Sequence, residues 1–269
     1  MSRRALLMLL IVIALVAGAA LWRHNAGRAK APVAGAQWRE PRTGMEFVWV
    51  PGGCFRMGFP DVPESGSHAN REAAQPEHGV CLRGFYLGRY EVTQAQYRQV
   101  TGANPSRLTQ SPRAPVDGVR WQDAVAMATS LDGTGRIRLP SEAEWEYACR
   151  AGGQHVEVCG DAPIDELAWV DTLSSHGTQP VGKKKPNAWG LYDMNGNVWE
   201  LTLDCWNPNY QHAPADGSAW RDEGDCGHHV KRGGGWNNYA SVSSSTERSW
   251  ADGEGVAIDN QGFRLVYAP

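Results

Sequence analysis

The 269-residue chain carries a net charge of −3 and is 42% apolar, which removes any electrostatic case for nucleic acid and predicts a folded chain. Glycine (31) and tryptophan (12) are abundant, and no long helical periodicity runs through the middle of the sequence. That mix predicts an irregular, loop-rich fold held together by aromatic packing.

Arg3 and Arg4 precede an unbroken apolar run from Ala5 to Trp22. Its charge and length suit a signal peptide or a signal anchor over residues 1–26. Small residues at 17–20 offer a cleavage site, while the run is also as long as the ~18 residues that span a bilayer. Both readings place the bulk of the chain outside the cytoplasm, in the periplasm or anchored facing it. Residues 27–39 read as a linker, and residues 40–269 as one domain.

Export gives meaning to the six cysteines, all of which follow the apolar run. An even number in an oxidising compartment suits disulfides, and fifteen pairings are open. Proximity along the chain favours Cys54–Cys81, Cys149–Cys159 and Cys205–Cys226. No C-x-x-C spacing argues for a redox or metal site instead.

The elements follow in order. β-type runs on either side of Pro51-Gly52-Gly53 predict a hairpin within 45–57. Strand character returns over 80–90. Thr93 with Gln96 forms a capping-box pattern, predicting a helix from Gln94 to about Val100 that ends near Gly102. A second helix is expected over 121–131. Ser141 with Glu144 repeats the capping box, opening a helix to about Arg150 with Trp145 and Ala148 facing the core. Residues 206–225 read as a long loop clamped by Cys205 and Cys226. Residues 230–238 read as a strand meeting a Gly-rich approach, and Gly262–Tyr267 as a final strand.

The stretch from Gly190 to Glu200, GLYDMNGNVWE, combines a tight Asn-Gly bend with two carboxylates, Asp193 and Glu200. Carboxylates flanking a turn of free carbonyls make an oxygen cage suited to calcium. On spacing alone, a polar turn leading into a strand, with Glu200 paired to an arginine, is the favoured alternative. The eight histidines show no H-x-x-x-H or H-x-H spacing, and no P-loop, dinucleotide fingerprint or Ser-His-Asp signature occurs.

Four segments together resemble the formylglycine-generating enzyme, or sulfatase-modifying factor, family. They are GRYEVT (88–93), RLPSEAEWE (138–146), the 190–200 turn, and RGGGW (232–236) with GFR (262–264). They keep the family's order and span residues 40–267. The resemblance implies an irregular α+β fold related to C-type lectins. It also implies structural calcium at the turn, held by the side chains of Asp193 and Glu200 and the carbonyls of Gly196 and Val198. A second calcium site of the family would fall at 168–178, where the match is poor, and Asp171 is expected to be an ordinary loop acid.

Formylglycine-generating enzymes hold copper through two cysteines placed after the Gly-Gly motif. At those positions this chain carries Asn238 and Ser243, and no cysteine follows Cys226. Neither residue is the soft donor that copper(I) prefers, so formylglycine formation by that mechanism is not expected. Asn238 and Ser243 could line a pocket as hydrogen-bonding groups, or be plain loop residues. Other branches lack the cysteine pair: one oxidises a siderophore precursor in the periplasm, and another uses an iron triad on a separate helical domain. A third, the variable proteins of retroelements, binds ligands through a hypermutated surface. Here that window is 237–261, with Tyr239, Glu247, Arg248, Trp250, Asp252, Glu254 and Asp259, a composition like that of antibody binding loops.

The expected function is oxidative maturation of an exported peptide, protein or metabolite, with any redox metal unidentified. The alternative is a non-catalytic binding module that uses the 237–261 surface. No nucleic-acid partner is expected, and an uncleaved N-terminal segment would place the protein on a membrane.

Overall fold

The computed structural model describes residues 31–60, 71–109, 111–153, 158–174, 177–255 and 257–269. The apolar N-terminal run and the expected cleavage site lie outside the described residues. By contacts the chain divides into two units, 1–33 and 34–269, and the second carries both sheets and the helices. Among the described residues, no helix is long and apolar enough to cross a membrane.

Two sheets organise the domain. The first has five strands in the order β1 (Gln37–Arg39), β2 (Glu46–Val50), β5 (Phe85–Gly88), β13 (Val266–Tyr267) and β6 (Ile137–Arg138). The second has four, ordered β11 (Arg248–Asp252), β10 (Asp225–Arg232), β9 (Trp199–Trp206) and β12 (Gln261–Gly262), with β12 parallel to β9. Two small pairs complete the strands. β3 (Gly53–Met57) lies antiparallel to β4 (His78–Leu82), and β7 (Ala168–Trp169) lies parallel to β8 (Asn195–Gly196). The architecture is α+β.

These strands revise three sequence expectations. β2 and β3 are consecutive but do not pair, because β2 joins β1 and β5 while β3 joins β4. The Pro51–Gly53 segment is thus a crossing between sheets and not a hairpin. The expected single strand over Gly262–Tyr267 is broken into β12 and β13, which belong to different sheets. β1 lies within the stretch read as linker.

The helices follow their caps. Helix α1 (Gln94–Thr101) starts at Thr93, whose hydroxyl accepts from Gln96 N–H while Gln96 reaches back, and it ends at Gly102 with φ 78°. Helix α2 (Trp121–Leu131) buries Ala124, Met127 and Ala128. Helix α3 (Glu142–Arg150) has the second capping box, Ser141 with Glu144, and every one of its residues is buried.

Both faces of the five-stranded sheet are covered. Along β2, Phe47 packs with α1 and α2 residues Tyr97, Ala124 and Met127, while Val48 and Val50 pack with Trp145 and Ala148 of α3. This is the two-residue alternation of a strand buried on both sides. The three expected disulfides, Cys54–Cys81, Cys149–Cys159 and Cys205–Cys226, are all formed.

Candidate functional site

The charged residues of α3 are buried because the second sheet supplies their partners. Glu142 accepts from Arg232 Nη1 (2.7 Å), Arg248 Nε (2.6 Å) and the Tyr210 hydroxyl (2.9 Å). Glu146 accepts from Arg232 Nη2 and pairs with Arg150. Carboxylates in the first turn of the helix also face its positive end. The Trp145 indole, between these acids, donates to Glu200 Oε2 at 2.7 Å. The helix therefore connects the ionic core to the 190–200 turn.

At the turn the backbone takes positive φ at Asp193 (54°), Gly196 (76°) and Asn197 (62°). Asn197, not Asn195, shares the left-handed conformation with Gly196. A Cβ on Gly196 would lie 2.1 Å from the Trp169 carbonyl oxygen, so glycine is required there on two counts. The side chain of Asn195 instead ties segments together: its Oδ1 accepts from Cys159 N–H and its Nδ2 donates to the Ser243 carbonyl.

Three carboxylates are buried at the turn, opposite one guanidinium. Glu200 accepts from Arg264 through both oxygens (2.6 Å each), in addition to Trp145. Glu91 accepts from Asn197 Nδ2 (3.0 Å) and Val198 N–H (3.3 Å). Asp193 Oδ2 accepts from Gly182 N–H (2.7 Å), while its Oδ1 is sealed from solvent with no hydrogen-bond partner. Burial, followed by the charges of Asp193 and Glu200, pushes the Glu91 carboxyl well above the usual range. Burial also pushes Asp193 up to about 6, against its bond to Gly182 and the pull of Arg264. Arg264 can balance one of these acids, so burial holds the others towards their neutral forms.

These geometries test the expected calcium ligands, Asp193, Gly196, Val198 and Glu200. The donor chemistry fits a hard cation, with surplus acid in a buried site and one open carboxylate oxygen on Asp193. Glu200 faces Arg264, which is the arginine pairing offered as the alternative from sequence, but Oε1 accepts only one N–H and keeps a lone pair. Among the described residues, no three His, Cys, Asp or Glu side chains converge as a metal centre. Sequence reasoning missed Glu91 and Arg264 as members of this cluster. The signal for both was available: each is a charged residue inside an otherwise strand-like run, GRYEVT and GFRLVY.

The positions set against the family's copper ligands lie beside this turn. Asn238 Oδ1 accepts from Trp199 Nε1 (2.7 Å) and Gly235 N–H (2.9 Å), and its carbonyl accepts from Asp171 N–H (3.0 Å). Ser243 is fully buried and its hydroxyl has no partner. A Cβ on Gly234 would sit 2.2 Å from that hydroxyl, so only glycine lets the two segments meet. Neither side chain offers a soft donor. Asp171 is exposed, as expected of a loop acid.

In the 237–261 window, Tyr239 is 73% and Trp250 48% exposed. Glu247 and Arg248, read from sequence as part of the same surface, are buried instead, Arg248 as a partner of Glu142. Arg248 opens β11 opposite Arg232 and turns into the ionic core, whereas Trp250, two residues on, lies opposite Val230 and stays exposed.

Residues 33–269 match the model of the sulfatase-modifying factor enzyme 1-like domain. The chain belongs to that family. It is 33% identical to a formylglycine-generating enzyme of Streptomyces coelicolor, the match covering 84% of this chain and 90% of that protein. It is 28% identical to the chaperone protein LppX of Paenibacillus barcinonensis, over 76% of this chain and 87% of the relative. Among solved structures, PvdO from Pseudomonas aeruginosa superposes with a TM-score of 0.75 at 32% identity, covering 88% of this chain and 99% of PvdO. Variable protein 1 of Treponema denticola superposes with a TM-score of 0.74 at 25% identity, covering 89% of this chain and all of that one. The family and the C-type-lectin-like fold implied by the four sequence motifs are thereby established.

Proposed function

We propose that this protein carries out oxidative tailoring of an exported peptide, protein or small metabolite without a copper–thiolate pair. Membership of the family and similarity to a formylglycine-generating enzyme support oxidative chemistry. The observation that carries the negative half is the state of the cysteines. All six lie in disulfides, none is free, and the two positions expected to hold copper ligands are an amide and a sealed hydroxyl. Three disulfides also support an oxidising compartment, in line with the apolar N-terminal run.

Calcium belongs to this reading as a structural ion, with Asp193 Oδ1 as its entry ligand, joined by Glu200 and the carbonyls of Gly196 and Val198. It would supply the positive charge that Arg264 alone does not. Elemental analysis of protein purified from an oxidising compartment tests the whole reading. Iron or copper near one per chain would support the oxidative reading and point to a ligand set beyond the residues named above. A cysteine-containing sulfatase peptide offered to the same protein should yield no aldehyde, and conversion would overturn the negative half.

A second reading has an observation of its own. Tyr239, Trp250 and Ile258 are all exposed in the 237–261 window, a surface suited to binding a ligand without chemistry. Calcium near one per chain, with neither iron nor copper, would favour that reading over the first.

A further inference from the structure

Lys231 occupies an unusual position. It lies in β10 of the second sheet, opposite Leu201 of β9 and Ser249 of β11. Only 7% of the residue is exposed. Its ammonium forms no hydrogen bond or ion pair with any described residue, yet it is not sealed off from solvent. Its stem is therefore packed in the sheet while its tip reaches the boundary. That tip lies 5.4 Å from the centroid of the Trp199 ring. The same indole donates from its edge to Asn238, so the amine sits one indole away from the position expected to hold a copper ligand in the family.

We infer that Lys231 is a nucleophilic amine for a small carbonyl compound, an aldehyde or 2-oxo acid, forming a Schiff base over the face of Trp199. The amine adds to the carbonyl carbon and the carbinolamine loses water. The resulting iminium keeps the positive charge where the ammonium was. No oxidant or reductant is required. The indole face favours that cation as it favours the ammonium, which suits the site to both ends of the reaction. Burial pushes the Lys231 amine down to about 8, with no charged neighbour contributing. At pH 7 about a tenth of it is then the free base, on the order of a hundredfold more than for an exposed lysine.

The chain has only four other lysines: Lys30 and the consecutive Lys183, Lys184 and Lys185. The inference is independent of which reading of the overall function holds, because it involves no metal. The test uses the full chain, with limiting glyoxylate and sodium cyanoborohydride at pH 7, followed by peptide mass spectrometry. The reduced adduct is expected on Lys231 first, at least about tenfold ahead of Lys183–Lys185, and its rate is expected to saturate with glyoxylate concentration. Lys231→Arg keeps the charge over Trp199 and should abolish the saturable adduct while leaving the melting temperature within a few degrees. Labelling of Lys183–Lys185 ahead of Lys231, or a rate linear in glyoxylate, would overturn the inference without bearing on the oxidative reading.

Discussion

Arg264 stands among the buried acids of the 190–200 turn and is fully buried itself, donating to Glu200 twice and to the Gly88 and Tyr192 carbonyls. Removing one partner of such a pair leaves an uncompensated buried charge, which is costlier than the pair is stabilising. Arg264→Met is therefore expected to lower unfolding stability by about 3–5 kcal/mol in urea titration. A loss below about 1 kcal/mol would show that solvent reaches Glu200. Asp204 offers a pH signature. Burial, then the charge of Glu142, pushes it up to about 7, while its oxygens accept from Glu142 N–H and Trp220 N–H. A raised carboxyl holds its proton in the folded state between about pH 4 and pH 7, where the unfolded chain has lost it. The stability contribution is thus present at low pH and falls as pH rises through that window, by roughly 4 kcal/mol in total. Asp204→Asn should flatten that slope in melting curves taken from pH 4 to 8. It should also cost about 1–2 kcal/mol at low pH, because one of the two N–H groups loses its acceptor.

Helix α3 is the element on which the site depends. Its N-cap hydroxyl, Ser141 Oγ, accepts from Glu144 N–H and donates to the Gly217 carbonyl, so it serves the helix and the 206–225 loop together. Ser141→Ala is expected to cost about 1–2 kcal/mol by chemical denaturation, at the upper end for a cap because the Gly217 carbonyl loses a buried donor. The capping boxes of α1 and α3 were legible in sequence, since a cap is written in residues three apart. The uniform burial of α3 was not. Sequence placed only Trp145 and Ala148 in the core, and the arrival of Arg232 and Arg248 from distant strands is what makes burial of Glu142 and Glu146 tolerable. The same distance explains the last strand. GFRLVY reads as one strand, but Gly262 packs against the Val116 carbonyl and Arg264 turns into the acid cluster, so the segment passes from one sheet to the other.

For the domain as a whole, the proposed calcium site makes a global prediction. A ligand that binds only the folded state stabilises by mass action, about 2.7 kcal/mol at a hundred times its dissociation constant. For a domain of this size, chelation should then lower the melting temperature by about 5–10 °C, and added calcium should restore it. An unchanged melt in excess chelator would leave Arg264 as the sole counter-charge of the cluster.

Read from the amino acids alone, the chain disclosed whatever is encoded by neighbours. That comprises its three disulfides, two capped helices, the Gly196 turn, and the ordered motifs that mark the family and the α+β fold. Tertiary structure decided whatever depends on residues far apart in sequence. It set Glu91, Asp193 and Glu200 around Arg264, buried Arg248 and Glu247 within a window that composition had read as surface, and left the Lys231 amine against Trp199 with no ionic partner among the described residues. The physical reason is that caps, turns and short loops are local bargains between backbone groups. A buried charge, by contrast, is tolerated or not according to which partner the fold delivers to it.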